Sequence, residues 1–213
     1  YVILLSLAIV LPLGVGAAVY LTEYAKNRRL AGLIEFAAET LAGIPSILYA
    51  LVGVIVFCTA LGLQKTLLAG SLTLAVMTFP TVLRSTQESL KTVPRAYREG
   101  ALALGAGPWR AIRTVVLPAS LDGIVTGCVL AAGRVVGETA VLMYTAGLST
   151  AMQNFTSLRG LARSSGATLT VAMYVYAKER ADFEATFAAA AVLLLLTALI
   201  NLAALWTGRR LRR

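Results

Sequence analysis

The sequence predicts an all-α integral membrane protein, and its composition, its apolar runs and its residue usage all indicate this class. Of its 213 residues, 58% are hydrophobic and 14% are charged, whereas a soluble domain carries about 25% charged residues. Runs of about 20 apolar residues, long enough to cross a hydrocarbon core of roughly 30 Å as a helix, recur along the chain. The chain has no His, which excludes histidine-based catalysis, and Cys58 and Cys128 lie in apolar runs without metal-ligand spacing.

Five membrane spans are predicted, at about residues 1–21, 41–63, 67–83, 119–143 and 187–207. Pro45 in the second span and Pro80 in the third each interrupt helical hydrogen bonding, either as hinges or as the ordinary prolines that membrane helices tolerate. A loop at 86–118 lies on one side of the membrane and a loop at 144–185 on the other, with a short helix expected at about 169–178.

Lysine and arginine are distributed unequally between the two sides. Thirteen of the 19 lie before the second span, around the 86–118 loop and at the C-terminus, against five in the loops of the opposite side. The positive-inside rule therefore predicts that the 86–118 loop and the C-terminus face the cytoplasm. This placement also explains the net charge of +9 without a nucleic acid partner.

The stretch Thr92–Pro118 is unusually polar and is predicted to form a helical hairpin. Its first helix follows Pro94 and runs to Leu104, and Gly105 suits the left-handed conformation that ends a helix. Pro108 begins a second helix that Pro118 interrupts. A structured, basic hairpin between two spans is more than a connection requires, so we expect a docking element.

The spacing within this hairpin resembles the cytoplasmic coupling motif of ABC importer permeases, E-A-A-x3-G-x9-I-x-L-P, with Gly100 and Val115 as departures. The resemblance implies a type I transmembrane domain with six spans, one of them upstream of Tyr1. It also implies that an ATPase subunit binds the hairpin, with Glu99 capping or pairing locally and Trp109 anchoring the second helix. An alternative role for the hairpin is packing against the bundle. The implied coupling residues are Glu99, Gly100, Ala101, Leu102, Leu104, Gly105, Leu117 and Pro118.

Two ionisable residues, Arg134 and Glu138, fall deep in the fourth predicted span. A charge there is costly unless it faces protein or water, and an i, i+4 spacing predicts that the two side chains meet on one helix face. The pair is either a structural ion pair or a basic group on an anion path that Glu138 holds or releases. Small residues spaced by four predict close helix packing; these are Gly123, Gly127, Gly133 and Gly137.

Two further segments, 43–49 (GIPSILY) and 137–140 (GETA), resemble the permease subunits of phosphate-specific ABC importers, the PstA type, as do Thr168–Val171 and Tyr174. Ala50 and Val141 depart from that pattern. The resemblance implies a phosphate path that includes Arg134, Glu138 and Arg84. For Arg84, a positive-inside anchor at the cytoplasmic end of the third span is the alternative explanation.

The same resemblance implies the partners and the location. They are a homologous second permease, an ATPase dimer, an extracytoplasmic phosphate-binding protein and the lipid of a bacterial cytoplasmic membrane. No G-x-x-x-x-G-K-[ST] loop occurs, so this chain should not bind ATP itself. We expect ATP and Mg²⁺ on the ATPase partner and no cofactor, metal or catalytic residue on this chain. One alternative is a permease for another oxyanion or solute. Another, in a different class, is a stand-alone channel or secondary transporter; the hairpin counts against this one, because such a protein needs no docking element.

Overall fold

The computed structural model describes residues 1–149 and 164–211, with side chains as far as residue 203, and every regular element in this part is helical. Residues 150–163 of the predicted outer loop and the last two arginines lie outside the described residues. The α-helices are α1 (Val2–Val19), α2 (Arg28–Ala42), α3 (Ser46–Gly53), α4 (Leu67–Thr92), α5 (Arg95–Ala103), α6 (Pro108–Ala111), α7 (Leu117–Ala119), α8 (Leu121–Gly137), α9 (Ala140–Thr145), α10 (Leu169–Lys178) and α11 (Phe183–Leu211). Three π-helical segments, at Tyr20–Tyr24, Val54–Ala60 and Ile112–Val116, extend α1, α3 and α6.

Three described helices are each long and apolar enough to cross a membrane: Val2–Tyr24, Leu67–Thr92 and Phe183–Ala203. Two bent pairs raise the number to five if each pair crosses once. In the first pair, α2 meets Ser46–Ala60 at 102°, and in the second, Pro108–Ala119 meets α8 at 66°. The predicted five spans agree with this upper number.

Proline affects these helices differently at each position. Pro80 is buried inside α4, which continues to Thr92, well past the predicted end at residue 83. Pro45 instead has extended backbone, with φ −58° and ψ 141°, and immediately precedes α3, so the predicted interruption is present at this residue. Pro118 does not end its helix; the chain turns at Ser120, one residue after α7.

Helix α4 forms the centre of the bundle. Of the most apolar stretch of α4, 67% is buried, whereas the corresponding buried shares are 33% for the first span and 6% for α11. Side chains of α4 contribute to all three apolar clusters of the described core, through Leu74 and Met77, Leu83 and Leu90, and Val82. A displacement of α4 therefore reaches both ends of the molecule.

Helices α4 and α8 are antiparallel and in close contact, as the small residues predicted. A Cβ at Gly123 would lie 2.4 Å from Ser89 Cβ, and one at Gly127 would lie 2.7 Å from Ser85 Oγ. The Ser85 hydroxyl donates to the Gly123 carbonyl at 2.9 Å and the Ser89 hydroxyl to the Ser120 carbonyl at 2.6 Å.

The other two glycines of α8 do not approach another described helix of this chain. No described atom outside their own helix lies within 4 Å of a Cβ built at Gly133 or Gly137. Both residues lie near the C-terminus of α8, on a side of the helix that does not face α4.

Candidate functional site

A break in the backbone separates α8 from α9 at Glu138. This residue is extended, with φ −78° and ψ 122°, and its carboxylate accepts a hydrogen bond from the Val141 N–H at 3.3 Å. Its carbonyl accepts a hydrogen bond from the Thr170 hydroxyl at 3.2 Å, and Thr170 contacts the Thr168 hydroxyl at 2.9 Å. Glu138 thus caps the first turn of α9, where a negative charge is favoured.

The predicted contact between Arg134 and Glu138 is wrong, because the helix ends before Glu138 and turns the carboxylate towards α9. Among the described residues, no ion pair within 4.0 Å joins them. Arg134 is half-buried and lies near enough to the Tyr49 hydroxyl of α3 to act on it electrostatically. The Tyr49 hydroxyl itself donates to the Leu41 carbonyl at 2.7 Å, across the α2–α3 break.

Arg84 forms an ion pair with Glu39 of α2. The two side chains are 36% and 60% exposed, so the pair lies at an open surface of the chain. One turn earlier on α2, Glu35 accepts a hydrogen bond from the Gln87 amide at 2.9 Å and lies 3.8 Å from the Lys91 amine. The sequence analysis missed both glutamates, although their i, i+4 spacing on an amphipathic helix was a usable signal.

The relative depth of the two arginines follows from the α4–α8 contact. Ser85, next to Arg84, bonds to the Gly123 carbonyl. At about 1.5 Å per residue, Arg134 lies roughly 16 Å further along α8, towards the start of α4. The two guanidinium groups are therefore at different depths rather than in one cluster.

A cavity of about 270 Å³ lies beside Thr168 and Thr170, between the start of α1, α8 and α11. Its remaining walls are almost entirely apolar and include Val135, Leu142 and Leu193. Since no charged side chain lines it, this cavity does not suit an anion. None of the predicted path residues borders it.

The predicted hairpin is present at Arg95–Val116. Gly105 has φ +83°, a left-handed conformation that L side chains rarely adopt, and links α5 to Pro108 at the start of α6. The hairpin exposes large apolar side chains: Leu104 is 91% exposed, Trp109 58% and Leu102 48%. Leu117 and Ala101 are half-buried, whereas Gly100 and Pro118 are exposed.

Glu99 differs from its predicted role. It is exposed, and no ion pair within 4.0 Å or side-chain hydrogen bond involves it in the described part of the chain. The residue beside it, Arg98, makes the contacts instead: its guanidinium bonds to Glu23 at 2.7 Å. The sequence analysis counted Arg98 only as a positive-inside residue and did not identify this contact.

Comparison with known proteins identifies the family. Residues 10–213 match the model of the family described as binding-protein-dependent transport system inner membrane component. The chain is 34% identical to a probable ABC transporter permease, YqgI, of Bacillus subtilis, over 98% of this chain and 74% of that protein. It is 37% identical to the phosphate transport system permease PstA 1 of Mycobacterium tuberculosis, over 91% of this chain and 62% of that protein.

Solved structures share the fold. A chain of the MetNI methionine ABC transporter superposes with a TM-score of 0.74 at 22% identity, covering 100% of this chain and 90% of that chain. A chain of a bacterial alginate importer superposes with a TM-score of 0.71 at 15% identity, covering 100% and 77%. The predicted fold class, an all-α ABC importer type I transmembrane domain, is thereby confirmed. This chain belongs to the binding-protein-dependent transport system inner membrane component family and is a permease subunit of an ABC transporter, a multi-pass protein of the inner membrane.

Proposed function

We propose that this chain translocates inorganic phosphate inward, driven by an ATPase subunit that binds the α5–α6 hairpin from the cytoplasm. A second, homologous permease would complete the path and an extracytoplasmic phosphate-binding protein would deliver the anion. The hairpin and the C-terminus would face the cytoplasm, in keeping with the excess of lysine and arginine near them.

The observation that carries the phosphate proposal is Arg134, a half-buried guanidinium in the last turn of α8 with no carboxylate within 4.0 Å among the described residues. A charge inside a membrane protein is costly unless a partner or water compensates it. A phosphate ion supplies paired acceptor oxygens that match the planar donors of a guanidinium. The PstA proteins among the relatives support the same solute.

Arg84 would form the second, cytoplasmic-side step of this path. Its partner Glu39 is 60% exposed, so an arriving anion and the carboxylate would compete for one guanidinium at a wet surface. Because the competition keeps the anion from being held too tightly, it would favour release. Glu138 would act indirectly, by fixing the backbone break that ends α8 just beyond Arg134.

The exposed apolar tip of the hairpin supports the proposal that an ATPase subunit binds there. Leu102 and Leu104 stand out from α5 and its C-terminus, and burying one such side chain in a groove contributes about 1.5–3 kcal/mol. A stand-alone channel or secondary transporter would leave this surface without a partner.

The test is ATP-dependent uptake of radiolabelled phosphate by the reconstituted complex with its ATPase and binding protein. We expect Arg134→Gln to abolish uptake while the complex still assembles, and Lys65→Gln, which removes an exposed charge from a loop, to leave uptake unchanged. Unchanged uptake in Arg134→Gln would remove this residue from the path. Phosphate uptake absent from the unmodified complex would refute phosphate as the solute.

A permease for another oxyanion or small solute is the second candidate. The Bacillus relative is described without a solute, and the structural relatives are described with methionine and alginate. Competition separates the candidates: excess sulfate or molybdate that blocks uptake as effectively as unlabelled phosphate would favour a general oxyanion permease.

A further inference from the structure

The guanidinium of Arg98 is bonded along its whole edge. Its Nε donates to the two carboxylate oxygens of Glu23 at 3.1 and 3.2 Å, and Nη2 donates to Glu23 Oε1 at 2.7 Å. The same Nη2 donates to the Leu90 carbonyl at 2.9 Å, and Nη1 donates to the Val93 carbonyl at 2.6 Å. One side chain of α5 therefore contacts both the π-helical end of the first span and the C-terminus of α4.

The two carbonyls belong to the last turn of α4 and its C-cap. Carbonyls at a helix C-terminus lack partners within the helix, and a cation is favoured beside them. Arg98 donates to both carbonyls while it pairs with Glu23, whose side chain is only 12% exposed; the Leu90 carbonyl also accepts from the Val93 N–H at 3.3 Å. Most of the surface of both side chains is thus covered, and the bonds are fixed in direction.

Packing alone does not hold α5 in place. None of its residues is buried, whereas Ala111, Ile112 and Val116 of the second half of the hairpin are buried. Ile112 and Val116 belong to an apolar cluster with Val19 of α1 and Leu90 of α4. A cavity of about 410 Å³ lies beside α5, and Arg98 and Glu23 line it together with Leu102. The side-chain hydrogen bonds that join α5 to the spans in the described part of the chain are those of Arg98.

We propose that Arg98 is a positioning residue that fixes α5 to the first span and to α4, so that a displacement applied to the hairpin moves both helices. The proposal rests on the proposed function, because it takes an ATPase subunit as the source of that displacement. It extends the coupling role from the exposed tip of the hairpin to an enclosed contact behind it. From α4, the motion reaches Arg84, which lies less than two turns before Leu90.

A distance measurement tests the fixation directly. Cysteines replace the exposed residues Leu13 on α1 and Ala103 on α5, in a full chain with Cys58→Ala and Cys128→Ala, and pulsed EPR measures the spin-label distances in the complex with the ATPase subunit. We expect one narrow distribution for the unmodified chain and a clearly broader one for Arg98→Gln. Arg98→Lys keeps the positive charge but lacks the planar set of N–H donors, so its distribution should have an intermediate width.

Transport provides the second measurement. Arg98→Gln should lower phosphate uptake per ATP hydrolysed several-fold with an unchanged KM for phosphate, because it alters transmission and not solute binding. Arg29→Gln, which removes another cytoplasmic-side charge, is the matched control and should match the unmodified chain. Glu23→Gln, which leaves the carbonyl contacts of Arg98 in place, should show a smaller effect and serves if Arg98→Gln fails to assemble.

Each outcome decides the proposal. A broader distribution together with lower uptake per ATP supports it. An unchanged distribution overturns it, whether or not uptake falls, and so does a broader distribution with unchanged uptake per ATP. If the unmodified complex transports no phosphate while the ATPase subunit stays bound, the phosphate proposal fails, and the distance distributions alone decide the role of Arg98.

Discussion

Two Arg–Glu pairs join distant parts of this chain, and they differ in their surroundings. Arg98 and Glu23 are 22% and 12% exposed, and Arg98 also donates to the carbonyls at the end of α4. Arg84 and Glu39 are 36% and 60% exposed. The first pair is enclosed where the hairpin meets the spans, and the second lies at an open surface of α2 and α4.

The difference separates a structural contact from an exchangeable one. Exposed ion pairs contribute about 0–1 kcal/mol, because water and salt replace the partner at little cost. Removing one partner of an enclosed pair costs about 3–5 kcal/mol when the remaining charge stays buried. The same two residue types therefore suit different roles: Arg98 suits a fixed link, and Arg84 suits a site where an anion competes with a carboxylate.

The largest effect is expected for stability at the enclosed pair. Arg98→Ala should lower the melting temperature of the solubilised chain by about 5–10 °C, because Glu23 loses its ion-pair partner and the Val93 carbonyl loses its donor. Arg84→Ala, the matched change at the open pair, should lower it by about 2 °C or less. Equal shifts would contradict the distinction between the pairs.

An intermediate effect is expected for transport at the open pair. Glu39→Gln removes the carboxylate that competes for Arg84, so phosphate should bind more tightly and leave more slowly. Uptake should then show a several-fold lower KM and a lower maximal rate, with little change in melting temperature. Glu88→Gln, an exposed glutamate on α4, is the control, and identical kinetics in both variants would place Arg84 outside the path.

The smallest effect is expected for salt dependence. In a double-mutant cycle, the coupling between Arg84 and Glu39 should fall from about 0.5 kcal/mol to nearly zero as ionic strength rises from about 0.1 to 1 M. The coupling between Arg98 and Glu23 should change much less, because these side chains are only 22% and 12% exposed. A coupling at Arg98 that falls in parallel with the one at Arg84 would show that the pair is not enclosed.

Features set by neighbouring residues were predictable. The hairpin depends on Pro94, Gly105 and Pro108, whose backbone preferences act within a few residues, and the structure has the turn at Gly105 with φ +83°. The helix at 169–178 was confirmed as Leu169–Lys178 for the same reason. The close approach of Gly123 and Gly127 to α4 also followed from local spacing.

Features that require knowing where a helix ends were not predictable. The contact between Arg134 and Glu138 assumed a continuous helix, but α8 ends at Gly137 and Glu138 caps α9. Glu99 was expected to cap or pair locally, but its neighbour Arg98 makes the contact with the first span instead. Two neighbouring positions on one exposed helix look equivalent until the packing of the first span decides which of them faces inward.

The sequence by itself determined the membrane class, the hairpin and the family, because apolar run length and local turn residues act over short stretches of chain. Only the tertiary structure decided which arginine meets which glutamate. Arg98 and Glu23 are 75 residues apart, and their pairing depends on how α1, α4 and the hairpin pack together. Ion pairing is selected by burial and geometry, and neither exists before the helices come together.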